Sequence, residues 1–222
     1  MKRITVLLAE DHTIVREGFR KMLELEDDLE VVGEAQEGRQ AVAMVKKLRP
    51  AVVLMDIAMP LLNGLEATRQ VLKAVPTTKV LMLSAHSDDA YVKEATDSGA
   101  VGFLLKQTSA HCVCQAIREV QKGNTFFSPS VAKRLHDRSR DRGKLHLKKT
   151  ARLTSREVEV LQLIVEGKAN KETASELGIS IKTVEKHRQG LMNKLNIHDT
   201  ASLTRYAIAV GIIESSVQLT II

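Results

Sequence analysis

The chain is predicted to be a doubly wound α/β domain joined to a smaller all-α domain. Three observations predict it. Short β-rich runs alternate with helical-period stretches across residues 1–122. Three of the five runs are nearly continuous in apolar residues, as strands buried on both faces of a parallel sheet are. From Leu153 onward the pattern is helical to the end. A chain of 222 residues is long enough for two small cores.

The strand candidates are ITVLLA (4–9), LEVVGEA (29–35), AVVLM (51–55), KVLMLSA (79–85) and VGFLL (101–105). Helices are expected to begin near Thr13, Gly38, Gly64, Asp88 and Ser109. Five such β-α units predict a flavodoxin-like parallel five-stranded sheet of order 2-1-3-4-5. Residues 123–150 are read as a short helix, from Pro129 to about His136, and a polar linker, DRSRDRGKLHLKKT (137–150). Whether its basic residues add phosphate contacts or merely solvate a tether stays open. Residues 151–222 form the second domain, with helices expected over 155–166, 170–177, 181–195 and 200–210.

Charge divides unevenly. Residues 1–132 carry 16 Lys and Arg against 17 Asp and Glu, whereas residues 133–222 carry 17 against 10. The net +6 is therefore −1 from the first part and +7 from the second, which suggests a polyanionic partner for the C-terminal part alone. No apolar run reaches the roughly 20 residues of a membrane span, and no signal-peptide pattern opens the chain. A cytoplasmic protein without a membrane partner is the expectation. Cys112 and Cys114 point different ways on a helix and lack a second ligand pair, so they read as small apolar fillers.

The chemistry gathers at strand ends. AVVLMDIAMP (51–60) carries an apolar run to one ionised residue, Asp56. In the predicted order strands 1 and 3 are neighbours, and ligands bind at their carboxyl ends. Glu10 and Asp11, which end strand 1, then arrive beside Asp56. Three carboxylates in one place repel, and a hard divalent cation resolves that conflict; Mg2+ suits a site with few protein ligands and retained waters. Strand 4 supplies the Ser84 hydroxyl and strand 5 the Lys106 ammonium. Acids, cation, hydroxyl and ammonium around one carboxylate oxygen fit phosphoryl transfer, with Asp56 as the acceptor.

In the second domain KETASELGISIKTVEKHRQGLMNKL (171–195) reads as helix, turn, helix. Gly178 suits a left-handed residue after the first helix, and Ser180 can cap the second. Val184, Leu191 and Leu195 share one stripe, and Lys182, Glu185, Lys186, Gln189 and Asn193 lie opposite it. These side chains are the types that read base edges in the major groove of double-stranded DNA. Thr183, His187 and Arg188 flank them, better placed for phosphates. A solvated helix face would look similar; the basic domain and the turn length tilt the reading toward DNA.

The segments LLAEDH, VVLMDIAMPLLNG, LMLSAH and GFLLK resemble the receiver domain of bacterial response regulators over about residues 3–121. LTSREVEVLQLIVEG, NKETASELGIS, KTVEKHRQGLMNKL and ASLTRYAI resemble the DNA-binding domain of LuxR-type regulators over about residues 150–212. Together they resemble a NarL/FixJ-type response regulator. The resemblance implies that Asp56 accepts phosphate from a sensor histidine kinase, and that Glu10, Asp11, Asp56 and the Ala58 carbonyl hold Mg2+. It implies that Ser84 and Lys106 bind phosphoryl oxygens and that Phe103 reorients when the hydroxyl moves. It further implies a homodimer on phosphorylation, contacts through the helix around Asp199–Val210, base reading by Glu185, Lys186 and Gln189, and RNA polymerase as a candidate partner. Two positions depart from the family pattern: Glu10 stands where aspartate is commoner, and Gln107 follows Lys106 where many receivers have a cis proline.

Two other classes compete. The first domain could serve as a dimerisation module without a switch, or the chain could be a phosphatase with an aspartate nucleophile. The latter class generally needs a second aspartate two residues on, where this chain has Ala58. Self-directed acceptance and loss of phosphate, rather than turnover of external substrates, is the expectation.

Overall fold

The computed structural model describes residues 3–85, 89–127, 131 and 153–213. The chain divides into two compact units, Met1–Leu145 and His146–Ile222. In the first, β1 (Ile4–Ala9), α1 (Thr13–Glu24), β2 (Leu29–Ala35), α2 (Gly38–Leu48) and β3 (Val52–Asp56) alternate. The alternation continues through α3 (Gly64–Ala74), β4 (Lys79–Ser84), α4 (Asp89–Asp97), β5 (Gly102–Leu105) and α5 (Ala110–Gln121).

The sheet order is β2-β1-β3-β4-β5-β6, and every pairing is parallel. The five expected strands thus stand in the expected order, with one addition: β6 (Phe126–Phe127) pairs with β5 at the sheet's edge. Two adjacent phenylalanines in an extended pair point to opposite faces, and each packs on a different core layer. Two residues are too few for a periodic signal. The short helix expected from Pro129 and the linker at 137–150 lie outside the described residues, apart from Val131, which is buried in the core.

Side-chain alternation along the strands builds those layers. Leu7, Val53, Met55, Met82 and Phe103 pack with Val42 and Val45 of α2, Leu65 and Val71 of α3, and Val92 of α4. Val6, Leu8, Leu54, Leu81 and Leu104 face the other way, onto Phe19 and Leu23 of α1 and Val113 and Ile117 of α5. Both faces are covered, which is why these strands read as continuous apolar runs. Cys114 is buried in the second layer, as a filler should be, and Cys112 is partly buried.

The second unit contains α6 (Ser155–Val165), α7 (Asn170–Leu177), α8 (Ile181–Leu195) and α9 (Thr200–Ala209). Val160, Leu161, Leu163, Leu177, Val184, Leu191 and Leu203 are buried in it. Gly178 ends α7 with φ of 61°, and the Ser180 side chain accepts from the Thr183 amide to start α8. Thr154 and Glu157 form a reciprocal capping box on α6.

Glu157 also accepts from Lys194 Nζ at 2.7 Å, tying α8 to α6. Burial would raise the Glu157 pKa, but the Lys194 contact and the Thr154 hydrogen bonds outweigh it and hold it below the usual carboxylate range. A depressed folded pKa contributes stability above the unfolded value of about 4.3 and loses it as pH falls through the folded value. Thermal melts of the full chain should therefore show the second unit weakening below about pH 4. Glu157→Gln should cost about 1 kcal/mol at neutral pH and flatten that acid dependence.

Candidate functional site

The β1–β3 register, Ala9 opposite Met55, carries Glu10 alongside Asp56 just beyond the paired residues. The Glu10 amide donates to the Ala35 carbonyl at 3.0 Å, so the end of β1 stays extended against β2. Glu10 and Asp56 are almost fully buried, at 1% and 0% exposure, and Asp11 is half-buried. Ligand atoms of Glu10, Asp11, His12 and Asp56 all lie within 4.8 Å of one another. β3 ends one residue later than the apolar run suggested, because Asp56 itself pairs with Leu83 of β4.

Lys106 completes the group. Its Nζ lies 3.0 Å from Asp56 Oδ2 and 2.9 Å from Glu10 Oε2. Burial would lower its pKa, but Asp56 and Glu10 prevail and raise it, so the ammonium stays charged at neutral pH. The Lys106–Gln107 peptide is trans, and the Lys106 side chain meets both carboxylates. The Lys106 amide donates to the Ser84 carbonyl at 2.8 Å, which joins β5 to the end of β4. Ser84 is buried at that strand's last position, one residue beyond the partner of Asp56. Phe103 is fully buried in β5, opposite Met82 and Phe127.

The loop after Asp56 is tightly folded. Leu62 donates to Pro60 at 2.7 Å with Leu61 at φ of 65°, and the Gly64 amide donates to Ile57 O at 2.7 Å. Ala58, half-buried, lies in this loop. Asn63 caps α3 by accepting from the Glu66 amide at 2.9 Å. A Cβ on Gly64 would fall 1.8 Å from the Asp56 carbonyl oxygen, so glycine is what lets α3 start against the backbone of Asp56.

Two residues of this site were not legible as site residues. His12 Nδ1 lies 2.8 Å from Asp11 Oδ1 and 3.0 Å from Glu10 Oε1. Partial burial pulls its pKa down, but Asp11 and the Glu10 hydrogen bond raise it overall. Its position directly after the two acids was the available signal. Arg16, 6% exposed on α1, donates to the Glu10 carbonyl at 2.8 Å. A cation in register with Phe19 and Leu23 on an apolar face was its signal.

On α8 the side chains of Lys182, Glu185, Lys186, Gln189 and Asn193 are exposed, as are Ile181 and Lys194, while Thr183, His187 and Arg188 are half-buried. Arg188 donates to Asn170 Oδ1 at 3.3 Å, and Gln189 to Asn193 Oδ1 at 2.9 Å. Among the described residues no helix is long and apolar enough to cross a membrane.

A doubly wound sheet with acids and a lysine at its carboxyl edge, plus a helix-turn-helix unit, defines a class, and comparison agrees. The response regulator receiver domain family matches residues 6–118, and the luxR family of bacterial regulatory proteins matches residues 151–207. The chain belongs to the response regulators, with a receiver and a LuxR-type helix-turn-helix domain, and is a regulator of transcription rather than an ordinary enzyme. It is similar to the response regulator protein VraR of Staphylococcus aureus, 38% identical over 211 residues, covering 95% of this chain and 99% of that one. RcsB of Salmonella typhimurium is 29% identical at a TM-score of 0.64, over 95% of this chain and all of that one. A further RcsB structure, of two dimers bound to two parallel DNAs, is 29% identical at a TM-score of 0.58, over 94% of this chain and 100% of that one.

Proposed function

We propose that this regulator is switched by transfer of a phosphoryl group from a sensor histidine kinase to Asp56, and that the phosphorylated chain binds double-stranded DNA as a dimer. The observation that carries the reading is the meeting of Glu10, Asp11, Asp56 and Lys106 from three strand ends. The carboxylate oxygens are hard donors, and half-buried Asp11 leaves room for retained waters, a set that fits Mg2+. Glu10, Asp11, Asp56 and the Ala58 carbonyl would hold it. When bound, Mg2+ neutralises charge between acceptor and incoming phosphoryl group.

The chain's own groups do the rest. Asp56 offers the attacking carboxylate oxygen, Lys106 holds a fixed positive charge beside it, and the Ser84 hydroxyl donates to the phosphoryl group once attached. Phe103 follows Ser84 as that hydroxyl moves. The change favours a dimer whose two α8 helices enter major-groove half-sites about 10 bp apart or a multiple of that. RNA polymerase is then a partner at the promoter. Support for dimers on DNA comes from RcsB, whose structure holds both. The test is incubation of the full chain with a small phosphodonor. Uptake of one phosphoryl group per chain, dependent on Mg2+, is expected; uptake indifferent to Mg2+ would contradict the reading.

On α8, Lys186→Ala should weaken binding to the selected DNA site by about 1–3 kcal/mol and relax preference at one base pair. Arg188→Ala should instead weaken binding to all sequences and reduce the slope of log K against log salt by about 1. Fluorescence anisotropy across a salt series separates the two.

A further inference from the structure

Helix α1 buries a charge where its pattern calls for an apolar residue. Arg16 shares the inward face with Phe19 and Leu23. A guanidinium keeps its charge in proteins, so burial is tolerable only where its donors are met. Nη1 donates to the Glu10 carbonyl at 2.8 Å and to the Asp11 carbonyl at 3.4 Å. Nε donates to Glu34 Oε2 at 3.2 Å, near the end of β2. Glu34 is also held by Arg20, which donates to Glu24 Oε1 at 2.8 Å.

These contacts grip the site from behind. A guanidinium placed on the Glu10 and Asp11 carboxylates would compete with a divalent cation for the same oxygens. Placed on their carbonyls, it fixes the peptide units from which both carboxylates project and leaves those oxygens to the cation. Lys106 differs, since its ammonium lies on the carboxylates themselves.

We propose that Arg16 is a positioning residue for the divalent cation, acting through the backbone of Glu10 and Asp11 and anchored by Glu34. This rests on the reading that Glu10, Asp11 and Asp56 bind Mg2+. Arginine is required because Nε and Nη1 are engaged in two directions at once, which a single ammonium on a flexible stem cannot reproduce. Arg16 therefore sets how tightly Mg2+ binds, and not how fast the loaded site accepts phosphate.

The test uses the full-length chain and the variants Arg16→Lys, Arg16→Met and Glu34→Gln. Mg2+ binding is measured by calorimetry, and phosphoryl uptake from a small phosphodonor is followed as Mg2+ is varied. Removing a group that orients metal ligands should raise the Mg2+ Kd and the half-saturating Mg2+ about 10-fold in both Arg16 variants, with a smaller rise in Glu34→Gln and an unchanged rate at saturating Mg2+. Should Arg16→Met fail to fold, the other two variants carry the test. Wild-type Mg2+ affinity in Arg16→Lys, or a lower saturating rate without a shift in half-saturation, would overturn the proposal. A wild-type chain that binds no Mg2+ would overturn the metal reading and this inference with it; wild-type binding with unshifted variants overturns the inference alone.

Discussion

Asp56→Asn should leave the full-length chain folded and unable to take up phosphate. The substitution keeps size and shape at a fully buried position, so the strand pairing of Asp56 with Leu83 should survive. What goes is the carboxylate proposed to attack phosphorus, and with it the charge beside Lys106. Intact mass spectrometry after incubation with phosphodonor and Mg2+ should show the phosphorylated species reduced to the level without donor. The same variant should lose most of its response to Mg2+. In the wild-type chain, Mg2+ at 100 times Kd should raise stability by about 2.7 kcal/mol. Undiminished uptake in Asp56→Asn would move the acceptor elsewhere.

Gly64→Ala should be among the most damaging small substitutions in the first unit. An added Cβ would lie 1.8 Å from the Asp56 carbonyl oxygen, and backbone, unlike the tip of a long side chain, has little freedom to give way. The strain should cost about 3 kcal/mol, which for a unit of this size lowers its melting temperature by roughly 10 °C. Relief requires α3 or the end of β3 to move, so phosphoryl uptake should fall even at temperatures where the unit is folded. The transition of the second unit should stay where it is. Wild-type melting and uptake together would show that the contact yields at no cost.

Much of this was legible because the signals are local or follow from strand order. Residues 51–55 read as a doubly buried strand from five apolar residues, and Gly178 and Ser180 announced the turn between α7 and α8 by conformational preference alone. The meeting of Glu10 and Asp11 with Asp56 followed once strands 1 and 3 were taken as neighbours. Other features depend on partners far along the chain. Arg16 is explained by Glu34, 18 residues on, and by two backbone carbonyls, none of which a helical pattern contains. β6 exists because β5 offers an edge at Gly102 and Phe103, and its two residues carry no period of their own. The close approach of Gly64 to Asp56 likewise belongs to the folded loop, although the glycine itself was visible as the start of a helix.

In the proposed switch, chemistry at Asp56 changes what the helix-turn-helix unit does. DNA affinity of the full-length chain, measured at one fixed salt concentration with Mg2+ and with or without a small phosphodonor, tests it most directly. The donor should tighten binding of the wild-type chain and leave Asp56→Asn unmoved. Equal affinity of the wild-type chain in both conditions, with phosphate shown to be on Asp56, would contradict it.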